Sequence, residues 1–451
     1  MTAPALVVVL GCAAACAGCG DNRRLAEDPL AAASGTRIAL QNYRYDDGTE
    51  QAVATEFYDR VTHARCRPLA WADGVQRCVP VADDAVYLDA ACTQLIGLGQ
   101  TIARPTHFIA YDARPAGRVV TRVVRAGQPG DAIPRYFQIV GGACTGPVAV
   151  PAQLTRFFAI GAELDAGDLV AVHDREVGDG RLAIAVRETD DGMRVPAGLR
   201  DRELGAACTP TTRGDGTTTC EPVGAATPSY FRDPACSQPA IAVGAATAAT
   251  IARLIEPSGC ASYHQLGDEL AAPIYRRDGA ACTAVDAPAG SRVFAPGPAI
   301  DLPPLDRSLE AGPGQRLQHV VFETGDPAAP RYVGDQLFDT AVATACAPRQ
   351  LRDAIRCLPA SVAATTLFVA GCTQQVRVAE VPQRACTPVG FATTNRPFQI
   401  TAIGDVVTDP VFRQDGAACA PYSAAPGNEL RALGPALDVT SFEAAIYYGE
   451  R

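Results

Sequence analysis

The 451-residue sequence predicts an all-β fold made of three tandem repeats. One cysteine frame recurs three times, and alternating apolar residues precede turn residues at the start of each copy. The chain has 41 glycines and 35 prolines, and few long apolar runs of helical period. We expect two four-stranded groups per repeat, which together would form a six-bladed β-propeller. Three consecutive small β-domains are the alternative.

The cysteine frame gives the repeat period. Its first cysteine is Cys66, Cys208 and Cys346, which lie 142 and 138 residues apart. Three further cysteines and an aspartate keep nearly the same step, which indicates a triplication. Each copy opens with an alternating strand and a turn, of which R-I-A-L-Q-N-Y-R-Y-D-D-G is the first. We place the repeats at 37–180, 181–315 and 316–451.

Disulfides are the expected role of the cysteines after the leader. The first two cysteines of each copy lie 12 or 11 residues apart around a turn, so they would face each other across a hairpin. The third and fourth close the same loop in every copy. Cys260 and Cys386 either bridge each other or pair locally and displace another cysteine. The predicted pairs are Cys66–Cys78, Cys92–Cys144, Cys208–Cys220, Cys236–Cys282, Cys346–Cys357, Cys372–Cys419 and Cys260–Cys386.

The first 19 residues have the form of a lipoprotein-type signal peptide. A short apolar run ends in small residues, and it is too short to span a membrane as a helix. Cys19 is the preferred lipidation site, with Cys12 and Cys16 as alternatives. Secretion without a lipid is the other interpretation, because no basic residue precedes the apolar run. Residues 20–36 are expected to be a flexible tether.

Composition excludes several functions. A net charge of −10 argues against nucleic-acid binding. The sequence contains no lysine, which excludes a P-loop and a pyridoxal phosphate Schiff base. We expect no cofactor and no metal. So many cysteines indicate an extracytoplasmic location, with membrane contact only through an N-terminal lipid.

The C-x-P…D-G…C-x-P…C-[ST]-Q frame behind such a leader resembles an uncharacterised cysteine-rich repeat family of bacterial secreted lipoproteins. The resemblance covers everything after the tether. It implies a bacterial outer-membrane lipoprotein or a secreted protein, and it implies no activity.

Recurring aspartates are the first candidates for chemistry. Asp59, Asp201 and Asp339 lie seven residues before the first cysteine of each copy, and Asp73, Asp215 and Asp353 lie seven after it. Calcium would need six to eight oxygens, which a single aspartate at each place does not supply. Turn and cap roles are the expectation.

Unrepeated residues are the other candidates. His173, beside Asp174, and His264 could act as general bases, although no nucleophile motif accompanies them. Arg213-Gly214-Asp215 spells an adhesive tripeptide at a turn, and Trp71 could stack on a sugar; we expect turn and packing roles.

No catalytic residue is assigned from the sequence. A non-enzymatic envelope scaffold that binds a protein or a glycan is the preferred function. The alternative is an extracellular hydrolase or lyase with its site in unrepeated loops of a propeller. Convergence of His173, His264 and acidic side chains in one pocket would favour the enzyme.

Overall fold

The computed structural model describes residues 30–99, 105–114, 117–150, 156–244, 249–256, 260–271, 273–278, 281–288, 290–324, 331–351, 354–369, 371–382, 386, 389–395, 398–416, 418–425 and 428–449. Strands dominate these residues, in agreement with the all-β prediction. Two short 3₁₀ turns, Ala166–Asp168 and Val439–Ser441, are the helical elements found in them.

The first predicted repeat contains 12 strands. They are β1 (Ile38–Tyr45), β2 (Glu50–Asp59), β3 (Ala64–Ala70), β4 (Gln76–Pro80), β5 (Asp83–Tyr87), β6 (Leu95–Gly99), β7 (His107–Arg114), β8 (Gly117–Gly130), β9 (Arg135–Val140), β10 (Ala143–Ala149), β11 (Arg156–Leu164) and β12 (Ala171–Val177).

The second predicted repeat also contains 12 strands. They are β13 (Leu182–Thr189), β14 (Arg194–Asp201), β15 (Ala206–Thr212), β16 (Thr218–Pro222), β17 (Tyr230–Phe231), β18 (Pro239–Gly244), β19 (Ile251–Ile255), β20 (Ala261–Glu269), β21 (Ile274–Asp278), β22 (Ala281–Val285), β23 (Ser291–Ala299) and β24 (Asp306–Ala311).

The third predicted repeat again contains 12. They are β25 (Leu317–Glu323), β26 (Tyr332–Asp339), β27 (Thr344–Gln350), β28 (Ile355–Pro359), β29 (Val362–Val369), β30 (Gln374–Pro382), β31 (Phe391–Asn395), β32 (Phe398–Val406), β33 (Val411–Asp415), β34 (Ala418–Tyr422), β35 (Asn428–Leu437) and β36 (Ala444–Gly449).

The strands form four sheets, of 15, 7, 7 and 7 strands. The 15-stranded sheet joins three antiparallel meanders of five strands: β36 with β1–β4, β12–β16, and β24–β28. The six-bladed propeller of four-stranded groups is therefore not formed, and neither are three separate domains. Segments that are distant in the sequence pair with each other instead. The second cysteine of each hairpin donates its backbone N–H to a carbonyl near the end of the same predicted repeat. The three bonds are Cys78 to Val170 (2.9 Å), Cys220 to Pro303 (3.2 Å) and Cys357 to Glu443 (3.0 Å).

Each 7-stranded sheet contains a ring of five strands. In the first, β5, β6, β11, β8 and β7 pair in that order, and a parallel pairing of β5 with β7 closes the barrel. The third repeats this order with β29, β30, β35, β32 and β31, closed by the parallel pair of β29 with β31. In the second, Ala226 forms the parallel bridge to Ala252, and the first strand is reduced to β17. Pro228 interrupts that strand because proline has no N–H to donate.

Aspartates of the opening turns connect neighbouring repeats. The Asp191 carboxylate accepts hydrogen bonds from the backbone N–H groups of Arg37 (2.6 Å) and Ile38 (2.7 Å). Asp47 accepts a bond from the N–H of Leu317 (2.9 Å) in the same way. Gly35 must be a glycine here, because a Cβ would lie 2.3 Å from the Asp191 carboxylate.

Candidate functional site

Seven disulfides join the cysteines of the described residues, and they are the pairs that the spacing predicts. The three hairpin bridges, Cys66–Cys78, Cys208–Cys220 and Cys346–Cys357, have Cα–Cα distances of 5.2, 5.3 and 5.2 Å. Their side chains are buried in the 15-stranded sheet. These three bridges therefore fix core strands. The seven disulfides together indicate an extracytoplasmic location.

The other bridges act on the barrels. Cys92–Cys144, Cys236–Cys282 and Cys372–Cys419 close loops of 52, 46 and 47 residues. Cys260–Cys386 spans 126 residues and connects the second 7-stranded sheet to the segment between β30 and β31. Cys12, Cys16 and Cys19 lie outside the described residues.

The recurring aspartates before the hairpins form buried ion pairs. Asp59, Asp201 and Asp339 are each 0% exposed. Each carboxylate is held by the guanidinium of the arginine that opens its repeat, and each also accepts a backbone N–H of the turn that follows it. The ion pairs are Arg37–Asp59, Arg181–Asp201 and Arg316–Asp339, with N–O distances of 2.7, 2.8 and 2.9 Å. Because arginines and turn N–H groups occupy these oxygens, they have structural roles rather than calcium-binding ones.

The aspartates at the hairpin tips make local contacts. Asp73 accepts the N–H of Val75 at 3.0 Å and two bonds of 2.8 Å from Arg77. Asp215 accepts the N–H of Thr217 at 2.9 Å. Asp353 lies outside the described residues. The N–H of Gly214 donates to the carbonyl of Cys386, so the Arg213-Gly214-Asp215 tip contacts the third repeat.

The candidate histidines lie in different sheets. His173 is on β12, 54% exposed, and its ring nitrogens lie 3.8 Å from Glu188 and 3.9 Å from Asp190. His264 is on β20, where Nδ1 lies 3.1 Å from the Gly297 carbonyl and Nε2 lies 3.2 Å from Ser262 Oγ. The structure does not bring the two together with acidic side chains in one of the pockets that it shows.

Trp71 is 8% exposed and packs with Val79, Ile109 and Val120 between the 15-stranded sheet and the first barrel. It has the packing role that the sequence favours.

A cavity of about 790 Å³ lies where one strand from each repeat meets the others. These strands are β2, β14 and β26, the central strands of the three five-stranded meanders. Sequence reasoning did not find it. The volume is in the range of small-molecule sites, roughly 300–1,000 Å³.

We call the cavity between β2, β14 and β26 the axial cavity. Three bulges shape its wall. Leu40 pairs with Phe57 but Gln41 pairs with Val53, so residues 54–56 are extra in β2. The register also shifts between Ala185 and Val186 where β13 pairs with β14, and between His319 and Val321 where β25 pairs with β26. A bulge bends its strand and redirects side chains, and bulges are common next to sites. Five residues at the bulges line the cavity: Ala54, Thr55, Ala197, Gly334 and Asp335.

Side-chain bonds hold the cavity wall across repeats. The Gln51 side-chain N–H donates to the Asp335 carbonyl, and its oxygen accepts the Tyr45 hydroxyl at 3.0 Å. Arg187 Nη1 donates to the Ala54 carbonyl at 2.9 Å. The cavity shape therefore depends on all three repeats.

The wall is apolar at its centre and charged at its margin. Ile184, Val195, Pro196 and Val333 supply apolar surface. Among the polar lining residues, Glu50 pairs with Arg44 at 2.6 Å and Arg331 with Glu323 at 3.3 Å.

Burial also perturbs titrating groups in this wall. It lowers the pKa of His319, and the nearby Asp47 carboxylate opposes that effect. Burial raises the pKa of Tyr332 well above its ordinary value. Both side chains are therefore held neutral near pH 7, so they offer the cavity uncharged rings rather than ionic groups.

The N-terminal segment reaches this cavity. Leu30 and Ala32 line it, and Ala33 exchanges two 2.9 Å backbone bonds with Arg194 of β14. The last residues of the predicted tether therefore lie against the protein. No helix in the described residues is long and apolar enough to cross a membrane.

The described residues contain no group of three or more His, Cys, Asp or Glu side chains that could hold a metal ion. The bulged residues that build the wall are mostly small, and no motif marks them in the sequence.

Comparison with known proteins gives a family and no activity. No curated protein and no solved structure matches the chain significantly. One family model, described as a family of unknown function, matches residues 10–442. Because that match covers nearly the whole sequence, the chain belongs to the family DUF7481.

Proposed function

We propose that this protein is a non-enzymatic, disulfide-stabilised scaffold of three β-repeats that binds a small amphiphilic molecule in its axial cavity. The observation that carries the proposal is the cavity itself, built by three bulges in equivalent strands and held by bonds between repeats. Its apolar centre suits an apolar body, and the margin with Glu50 and Arg331 suits a polar end.

The cell envelope is the proposed location. The seven disulfides support an oxidising compartment. The apolar leader supports export, and Cys19 is proposed to carry a lipid that anchors the protein in a bacterial outer membrane. The chain enters the fold beside the axial cavity, so a membrane-anchored protein would hold the cavity on its membrane side. An envelope protein or glycan remains the proposed macromolecular partner.

A blocked cavity tests the binding function. Val333 is 44% exposed and lines the cavity, so Val333→Trp should fill it without disturbing the core. Val61 is 64% exposed and lies outside it, so Val61→Trp is the matched control.

The probe is the neutral fluorophore N-phenyl-1-naphthylamine, titrated into the full chain. We expect saturable binding to the natural protein and to Val61→Trp, and a loss of about tenfold or more in affinity for Val333→Trp. Equal affinity of the two tryptophan variants, or no saturable binding to the natural protein, would contradict the proposal.

A hydrolase is the second candidate function, because the Ser262 hydroxyl and the His264 ring lie within hydrogen-bond distance of each other. With Nδ1 of His264 against the Gly297 carbonyl, Nε2 is free to accept the Ser262 hydroxyl proton. Labelling by a fluorophosphonate that disappears in Ser262→Ala would support it. An unlabelled natural protein would count against it.

A further inference from the structure

We infer that the first barrel carries a second binding site, for a neutral saccharide. A pocket of about 560 Å³ lies where β5, β7 and β9 meet. Its lining includes Tyr87, Tyr111, Tyr136, Asp84, Arg118 and Gln138. It is separate from the axial cavity, with which it shares no lining residue.

The strand arrangement creates the pocket. β5 pairs in parallel with β7 through Asp83 and Phe108, and β7 pairs in parallel with β9 through Asp112 and Ile139. Tyr87, at the end of β5, pairs with Phe137 of β9. The three strands pair with one another over only one to three residues each, and side chains from all three line the pocket between them.

Contacts of one arginine hold one wall of this pocket in a fixed arrangement. The Arg118 guanidinium lies 3.8 Å from the centre of the Tyr111 ring, and its Nη2 lies 3.0 Å from the Asp84 carboxylate. Both charged side chains are about half exposed, so they can still reach a ligand. A cation over an aromatic face and a carboxylate beside it give an arginine a fixed position.

These groups match the chemistry of a sugar. Hydroxyls donate to a carboxylate and accept from a guanidinium and an amide, so Asp84, Arg118 and Gln138 can share a set of neighbouring hydroxyls. The half-buried Tyr136 ring offers an apolar face for the C–H side of a pyranose. Because the arginine is already paired with a carboxylate, the wall favours a neutral ligand over a phosphate or a carboxylate.

The pocket chemistry is particular to the first barrel. Tyr87, Phe231 and Phe368 hold the same paired position in the three barrels, and three residues before them stand Asp84, Pro228 and Thr365. Eight residues before the fourth cysteine of the frame stand Tyr136, Ile274 and Val411. The third barrel therefore keeps the strands and the disulfide without the carboxylate and the ring, so a barrel of this kind does not require either side chain.

This comparison also gives variants that should fold. Tyr136→Val places in the first barrel the residue type that the third barrel already carries, and Asp84→Ala removes a carboxylate that neither of the other barrels has at this position. Tyr275→Leu, on the equivalent strand β21 of the second barrel, is the matched control for loss of a tyrosine.

The test uses the full chain and a panel of neutral mono- and oligosaccharides, read first by saturation-transfer NMR and then by calorimetry. We expect saturable binding of at least one hexose-containing saccharide at up to about 10 mM, and about tenfold weaker binding to Asp84→Ala and to Tyr136→Val. Tyr275→Leu should bind as the natural protein does, and so should Val333→Trp, which blocks only the axial cavity.

Two results would overturn the inference: no saturable saccharide in the panel, or affinities that neither pocket variant changes. Matching near-UV circular dichroism of the variants and the natural protein excludes misfolding as the cause of a loss.

Discussion

Arg37 holds the buried carboxylate of Asp59 through two hydrogen bonds, of 2.8 Å from Nε and 2.7 Å from Nη2. The arginine opens the first strand of the repeat and the aspartate closes the second, so one bidentate contact ties the ends of a hairpin. Arg181–Asp201 and Arg316–Asp339 repeat the contact. Removing one partner of such a pair leaves a buried charge without compensation.

Arg37→Met is therefore expected to lower the free energy of unfolding by about 3 kcal/mol, measured by urea denaturation. Arg292→Met is the control, since Arg292 and Glu269 form an exposed pair whose loss should change the free energy of unfolding much less. A double variant, Arg37→Met with Asp59→Asn, should recover part of the loss. Equal effects of the two single variants would contradict the structural role of the buried pair.

Stability should also fall in strong acid because of Asp59. Burial acts to raise the pKa of Asp59, but the bonds from Arg37 and from the N–H groups of Val61 and Thr62 outweigh it and hold that pKa below its ordinary value. A carboxyl with a lowered folded pKa stabilises the fold above its unfolded pKa, and the contribution is lost as the pH falls through the folded value. The acid-dependent loss of stability measured below pH 4 should be smaller in Asp59→Asn.

His107 predicts a second acid transition, at milder pH. Its ring is 4% exposed, Nε2 has no hydrogen-bond partner among the described residues, and Nδ1 lies 3.1 Å from Thr106 Oγ1. Burial, and then the charge of Arg125, lower the pKa of His107.

The unfolded chain therefore takes up a proton more readily, so stability falls as the pH drops below about 6.5 and levels off below the folded pKa. His319, whose pKa burial also lowers, adds to the same fall. The melting temperature between pH 7.5 and pH 5 should drop less in His107→Leu than in the natural protein. The exposed His173→Leu serves as the control. An unchanged slope in His107→Leu would show that protonation of this ring does not limit stability.

The Cys260–Cys386 bridge should contribute more to stability than a hairpin bridge. It closes 126 residues, whereas Cys66–Cys78 closes 12. By the loss of chain entropy in the unfolded state, a loop of that length stabilises by about 5 kcal/mol and a short one by about 3 kcal/mol. Paired Cys→Ala variants compared by denaturation test the order, and mass spectrometry of the unreduced digest tests the pairing. A reversed order would mean that strain or residual structure outweighs chain entropy at one site.

If the proposed lipid anchor exists, processing should occur at one leader cysteine. Globomycin should block maturation of the exported chain, and Cys19→Ala should abolish lipid labelling, whereas Cys16→Ala and Cys12→Ala should retain it. Globomycin-insensitive export would leave secretion without a lipid. Labelling that depends on Cys12 or Cys16 would move the anchor to that residue.

Much of the fold could be predicted because its signals are local. Alternation predicts a strand whatever surrounds it, and the alternating segments 106–112, 118–125, 135–140 and 155–161 each overlap a strand of the first 7-stranded sheet. Two cysteines around a tight turn face each other by hairpin geometry alone, as Cys66 and Cys78 do. The aspartate beside each hairpin is likewise a local turn signal.

The arrangement of the sheets could not be predicted in this way. The bond from Cys78 to Val170 joins residues far apart in the sequence, and it merges strands that a count of groups assigns to separate blades. Backbone N–H and C=O groups carry no sequence label, so only the tertiary structure selects their partners.

The axial cavity could not be predicted from the sequence for the same reason. Its wall depends on bulges at Ala54, Ala197 and Gly334, and on a bond from Gln51 to the backbone of Asp335 in another repeat. The sequence by itself thus determined the β-class, the cysteine frame and the six bridges that the frame repeats, since these follow from spacing along the chain, whereas the Cys260–Cys386 pair was left open. The tertiary structure decided which strands share a sheet and where the repeats leave a cavity, since these follow from contacts between residues that no local pattern connects.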